Sequence, residues 1–160
     1  MADGCNRIAS FSVDHDRIVP GVYLSRTDGD IATYDLRTRT PNQGDYMDNL
    51  TMHSVEHMFA TFARNSEWRD HVIYFGPMGC QTGFYLLLRD MAPQDARQLI
   101  LDTLQRIIEY RGPMFGAARK ECGNYKNLSL EAAQTECASY LKVVQAQPCD
   151  FRYPQAGGET

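Results

Sequence analysis

The sequence predicts a single α+β domain with its strands concentrated early. Strand-like segments crowd the first third of the chain, amphipathic helical stripes are interspersed after it, and no regular strand–helix–strand alternation runs through the 160 residues. A chain of this length makes about one domain and buries a core without help from disulfides. Residues 1–160 are read as that one domain, with the stretch from Pro148 to Thr160 expected to fray because it is rich in Pro and Gly.

Gly21–Ser25 and Ile31–Arg39 read as strands flanking Thr27-Asp28-Gly29-Asp30, whose Asp-Gly step suits a hairpin turn. Pro41-Asn42-Gln43-Gly44 breaks the chain. Asp48 or Asn49 then caps a helix expected to reach Asn65, with Val55, Met58, Phe59 and Phe62 on its buried face. His71–Phe75 and Gly83–Leu88 read as strands around the tight loop Gly76-Pro77-Met78-Gly79-Cys80. Pro93 suits the first turn of a helix whose Leu99, Ile100, Thr103, Leu104, Ile107 and Ile108 form an apolar stripe, and Ser129 caps a last helix to Ala146.

Composition narrows the function classes. Apolar content of 43% and charged content of 22% are ordinary for a globular protein. The net charge of -4 provides no general basic field, so neither nucleic acid nor an anionic membrane is an expected partner. No apolar run approaches the roughly 20 residues that a membrane span requires. Met1–Ser10 has no apolar signal core, and a cytoplasmic location is the expectation. The five cysteines are odd in number and form no CxxC pair, which favours thiols or metal ligands over bridges.

The densest chemical signal is His53-Ser54-Val55-Glu56-His57. On a helix, positions i and i+4 lie one turn apart on one face, so two imidazoles can reach one metal ion without distorting the backbone. Glu56 stays near the same rim and can accept a proton beside the ion without being a ligand. The pattern is the H-x-x-E-H arrangement of inverted zinc peptidases. A catalytic site usually adds a third protein ligand and keeps one position open. Spacing leaves a carboxylate possible there. Cys122 is the attractive alternative, because Glu121-Cys122-Gly123-Asn124 reads as a polar loop, whereas Cys137 falls on a core helix face. Two His and one Cys suit zinc or ferrous iron.

A second thiol, Cys80, sits between glycines in Gly76-Pro77-Met78-Gly79-Cys80-Gln81-Thr82-Gly83. Such a loop lets backbone approach a ligand and leaves the thiol accessible for proton shuttling, although a plain turn with a buried thiol has the same composition.

Six stretches together resemble the S-ribosylhomocysteine lyase (LuxS) family. They are Ser10-Phe11-Ser12-Val13-Asp14-His15, Tyr34-Asp35-Leu36-Arg37, Pro41-Asn42-Gln43, His53-Ser54-Val55-Glu56-His57, Pro77-Met78-Gly79-Cys80-Gln81-Thr82-Gly83 and Glu121-Cys122-Gly123-Asn124-Tyr125. The resemblance runs from Ala9 to Tyr140. It implies an antiparallel sheet packed with helices, distantly like inverted zinc peptidases and akin to the LuxS/MPP-like metallohydrolase fold. It also implies a homodimer with active sites at the subunit interface. His53, His57 and Cys122 would bind a divalent metal, ferrous iron by preference, with zinc or cobalt as substitutes. Cys80 and Glu56 would be the general acid/base pair, and Ser10, His15 and Arg37 would help form the substrate pocket. The implied substrate is S-ribosylhomocysteine, and the products are homocysteine and 4,5-dihydroxy-2,3-pentanedione, the autoinducer-2 precursor. These place the chain in the activated methyl cycle and in quorum sensing.

Three positions depart from the family pattern near the pocket: Gly76 where serine is frequent, Tyr74 where aspartate is frequent, and Thr38 where phenylalanine follows the arginine. From the residues alone, Arg37 on a strand suits bidentate binding of a substrate carboxylate, and Asp14 could orient the imidazole of His15. Two rival readings are an H-x-x-E-H metallohydrolase acting on peptides, with Glu56 activating a metal-bound water, and a non-catalytic metal module closed by four ligands.

Overall fold

The computed structural model describes residues 4–155. Four strands form one antiparallel sheet: β1 (Gly21–Asp28), β2 (Ile31–Arg37), β3 (Val72–Pro77) and β4 (Gly83–Arg89). Their order in the sheet is β1-β2-β4-β3, so β4 inserts between β2 and β3, with Arg37 opposite Gly83 and Leu36 opposite Phe84. Three helices complete the domain: α1 (Asn49–Arg64), α2 (Pro93–Glu109) and α3 (Leu130–Ala146). The expected α+β class and antiparallel sheet are both present.

Alternation along the strands builds the core. Tyr34 and Leu36 on β2, with Phe84, Leu86 and Leu88 on β4, turn one face toward the helices. α1 packs over β3, α3 reaches β1, and α2 packs against both helices. Phe59 stacks on Phe75 at 4.1 Å between ring centroids, and Phe75 on Phe84 at 5.0 Å. This aromatic column fixes the height and rotation of α1 on the sheet, and α1 carries the H-x-x-E-H motif.

Caps set the helix starts as expected. The Asp48 carboxylate accepts the Thr51 N–H at 2.7 Å, and Ser129 Oγ accepts the Ala132 N–H at 3.1 Å. Ser54, buried between the two motif histidines, accepts the Ser129 N–H at 2.8 Å and donates to the Leu50 carbonyl. One hydroxyl therefore ties the middle of α1 to the beginning of α3.

Several boundaries differ from the sequence expectation. β1 extends through Asp28 past a bulge between Leu24 and Arg26, leaving Gly29-Asp30 as the hairpin loop. β2 stops at Arg37, two residues early, because Arg39 turns away to form a bidentate ion pair with Glu136 of α3. His71 belongs to a 3-10 turn before β3.

The expected fraying after Pro148 is not seen as far as Tyr153. Phe151 is 5% exposed, and its carbonyl accepts the Leu24 N–H at 2.7 Å. Tyr153 stacks on Tyr23. Two aromatics pack within the first part of this stretch. The remainder of that stretch, residues 156–160, lies outside the described residues. Among the described residues, no helix is long and apolar enough to cross a membrane.

Candidate metal centre and thiol cleft

His53 and His57 stand one turn apart on α1, their rings perpendicular with centroids 4.6 Å apart. Each is held from behind by a backbone carbonyl. His53 Nδ1–H donates to Asn127 O at 2.8 Å, and His57 Nδ1–H donates to Phe115 O at 2.9 Å. A carbonyl only accepts, so both rings carry their proton on Nδ1 and leave Nε2 free as an electron-pair donor. Cys122 comes from the loop before α3. Its Sγ lies 3.3 Å from His53 Nε2 and accepts the Asn124 N–H at 3.3 Å.

The three donor atoms of His53, His57 and Cys122 all lie within 4.8 Å of one another, and no other such group occurs among the described residues. A cysteine, rather than one of the carboxylates that spacing left possible, thus completes the trio. Two imidazole nitrogens and a sulfur, half-buried and pre-oriented, fit a zinc- or ferrous-type ion. Three protein donors leave a coordination position open for another ligand. Glu56 stays outside the trio and lines an adjoining cleft of about 260 Å³ with His53, Met52, Pro77 and Asn124.

Residues that carry no metal-binding signature in the sequence hold this arrangement. Gly116, at φ +65°, passes directly against the His57 ring; a Cβ there would stand 2.7 Å from Nδ1. Only glycine combines that backbone conformation with that approach. Gly116→Ala is therefore expected to push His57 off its carbonyl and weaken metal affinity by about 10–100-fold, the range for supporting groups around a metal. Titration with Zn(II) against a chromogenic chelator measures this, and wild-type affinity would contradict it. Nothing in the sequence placed this loop beside α1.

Cys80 is exposed in the middle of the β3–β4 loop. Its Sγ lies 3.0 Å from Thr82 Oγ1 and 3.8 Å from Arg37 Nη1. It lines a cleft of about 270 Å³ with His15, Pro41, Asn42, Tyr46 and Thr82. Gln81, at φ +65°, holds the loop in place: its carbonyl accepts the Met47 N–H at 3.0 Å, and its side chain donates to the Met47 carbonyl at 2.9 Å.

Arg37 is 3% exposed, and its fork is committed to Asp35, with Nε to Oδ1 at 3.0 Å and Nη2 to Oδ2 at 2.6 Å. The bidentate grip expected for a substrate carboxylate is thus taken by a neighbour two residues away on the same strand face. Burial by itself would lower the Arg37 pKa; the Asp35 carboxylate more than offsets this, so the pKa is raised and the guanidinium stays charged. Nη1, the remaining arm, donates to Thr82 Oγ1 at 2.8 Å.

His15 Nδ1–H donates to the Val13 carbonyl at 2.8 Å, leaving Nε2 free. Asp14 does not orient it; that carboxylate pairs with Arg17 at 3.1 Å on the surface. Ser10 lies in a separate groove with Ile8, Arg26, Tyr74 and Tyr85.

The three departures from the family pattern also find places. The Tyr74 ring lies over Gly76, and a Cβ at position 76 would overlap its hydroxyl, so tyrosine at 74 and glycine at 76 go together. Thr38 lines a small interior space with Phe59, Phe75 and Cys137 instead of the thiol cleft. Cys137 itself is buried on α3, and burial pushes its thiol pKa well up, as for a structural cysteine.

The fold and the trio define an α+β protein with an H-x-x-E-H helix and a His–His–Cys group that could hold a metal ion. The sequence model described as S-Ribosylhomocysteinase (LuxS) matches residues 8–149. An S-ribosylhomocysteine lyase of Borreliella burgdorferi (strain ZS7) is 40% identical over 155 residues, covering 92% of this chain and 99% of that protein. The enzymes of the same name from Finegoldia magna and Clostridium beijerinckii are each 42% identical, covering 87% and 84% of this chain and 92% and 89% of theirs. The chain belongs to the S-ribosylhomocysteinase (LuxS) family.

Proposed function

We propose that this chain is a carbon–sulfur lyase that converts S-ribosylhomocysteine to homocysteine and 4,5-dihydroxy-2,3-pentanedione. The observation that carries the reading is the His53–His57–Cys122 trio beside Glu56, in a chain that spans nearly the full length of an S-ribosylhomocysteine lyase. The ion we assign to the trio is ferrous iron, with zinc or cobalt as substitutes. When bound, it supplies Lewis-acid stabilisation of negative charge that builds on sugar oxygens.

The remaining work falls to the side chains. The ribose carbonyl must move from the first carbon to the second and then to the third. Each shift takes a proton from one carbon and returns it to the next. Cys80 is assigned these carbon protons, because an exposed thiol next to the Arg37 guanidinium can both take and give. Glu56 is assigned the oxygen protons and the final step. There it removes the proton beside the ketone, the electron pair forms a carbon–carbon double bond, and the carbon–sulfur pair leaves with sulfur. Protonation of that thiolate gives homocysteine, and the enol tautomerises to the dione. Ser10, His15 and Arg37 are assigned to the walls of the substrate pocket.

The functional unit is proposed to be a homodimer of single-domain subunits, with its sites at the interface. Within one chain, Ser10, Cys80, and His53 with Glu56 face three separate openings, and exposed apolar side chains border two of them: Ile8 and Tyr74 at the Ser10 groove, Tyr46 at the Cys80 cleft. A second subunit would cover these residues and join the openings. With this activity goes our assignment of the protein to the cytoplasm, to the activated methyl cycle and to the source of autoinducer-2.

Trapping the products with 1,2-diaminobenzene tests the reading, since a vicinal dione condenses to a quinoxaline. Quinoxaline formed in step with homocysteine supports the lyase. Cleavage of a peptide mixture with no quinoxaline from S-ribosylhomocysteine would support an H-x-x-E-H hydrolase instead.

A further inference from the structure

We infer that Tyr153 is a positioning residue for the Cys80 thiol, acting through the buried Asp35–Arg37 pair. Its effect on turnover rests on the lyase reading above; its effect on the thiol does not.

Asp35 is 1% exposed, and Arg37 fills one lone pair on each of its oxygens. The Tyr153 hydroxyl donates a third hydrogen bond to Asp35 Oδ2 at 2.7 Å. Burial, and then the charge of Asp35, push the Tyr153 pKa far up, so the phenol keeps its proton and remains a donor. At such a buried carboxylate, water does not readily replace a lost donor.

The far end of the same guanidinium faces the reactive loop. Arg37 Nη1 donates to Thr82 Oγ1 at 2.8 Å and stands 3.8 Å from Cys80 Sγ. Because Arg37 occupies the Thr82 oxygen, the Thr82 hydroxyl proton is available to the sulfur 3.0 Å away. One polar chain thus runs from Tyr153 through Asp35 and Arg37 to Cys80.

The delivery of the phenol is built into the fold. Its ring stacks on Tyr23 at 4.8 Å and 17°, Phe151 is buried edge-on to Tyr34 at 5.5 Å, and the Phe151 carbonyl bonds to β1. Both aromatics lie beyond the stretch 8–149 that the family model matches. The C-terminal strap thus supplies a donor that stops Asp35 from drawing Arg37 away from the thiol.

Tyr153→Phe removes the hydroxyl and keeps the stacked ring. The test reads alkylation of Cys80 by iodoacetamide at pH 7 in the metal-loaded 160-residue protein, by peptide mass spectrometry, with Cys5 and an added free cysteine peptide as references. The rate at Cys80 is expected to fall about three- to tenfold, the factor corresponding to one hydrogen bond's net contribution. The references and the bound metal should not change. On S-ribosylhomocysteine, kcat should fall by a similar factor with KM within twofold. Tyr153→Ala, which also loses the stack, must be at least as slow at Cys80. Wild-type alkylation of Cys80 in both variants would overturn the inference and leave the strap a purely structural clamp. Slowed alkylation in a protein whose wild type turns over no S-ribosylhomocysteine would support the positioning role and refute the lyase reading.

Discussion

Cys122→Ala is expected to purify without stoichiometric metal and to release no homocysteine. The substitution removes the only sulfur of the trio and leaves two imidazoles one helical turn apart. Losing even a supporting partner of a metal ligand costs about 10–100-fold in affinity, so losing a ligand should exceed the upper end of that range. The fold should survive. Cys122 sits in a loop, while α1 is tied independently to α3 through Ser54 and Ser129 and to the sheet through the aromatic column. His57→Ala should behave alike. Metal analysis of the dialysed protein, beside far-ultraviolet circular dichroism, separates lost metal from lost structure. A Cys122→Ala protein holding one tight metal per chain would mean that another residue completes the site.

Cys80→Ala is expected to give the opposite pattern: full metal content with turnover reduced by about 10²–10⁴-fold, the usual contribution of one general acid–base group. Cys80 lies outside the metal trio, in a different cleft, and its neighbours are Thr82 and Arg37. Its removal leaves the buried Arg37–Asp35 pair and the β3–β4 loop in place, since Gln81 rather than Cys80 anchors that loop to Met47. The two variants should therefore differ in opposite ways, because the proposed role of Cys122 is to hold the ion and that of Cys80 is to move protons. Full activity in Cys80→Ala would remove the second thiol from the mechanism.

Much of the site was legible because its strongest signals are local. The cap at Asp48, the apolar spacing from Val55 to Phe62 and the i, i+4 histidines all lie within one helix, where 3.6-residue periodicity makes faces readable. The glycine-rich stretch around Cys80 announced an irregular loop for the same reason. What escaped detection is held by long-range contacts. The carbonyls that orient His53 and His57 come from Asn127 and Phe115, 74 and 58 residues away, and a backbone carbonyl has no side-chain signature. The insertion of β4 between β2 and β3 depends on strand pairing that alternation alone does not order. Arg37 was assigned to a substrate because a strand arginine suits a carboxylate and because the resemblance puts it at the pocket; the sequence did not show that Asp35, two residues away on the same strand face, takes its fork. The C-terminal strap was hidden by its Pro and Gly content, although Phe151 and Tyr153 outweigh it once packed.

The most direct test of the central claim is free thiol released from S-ribosylhomocysteine by protein purified without oxygen and loaded with ferrous iron, with Cys80→Ala alongside. The account predicts one homocysteine per substrate consumed by the wild type, and little or none from a variant that still holds its metal. No thiol from the folded, metal-loaded wild type would contradict it and would show that Tyr74 and Gly76 mark a site turned to a different substrate.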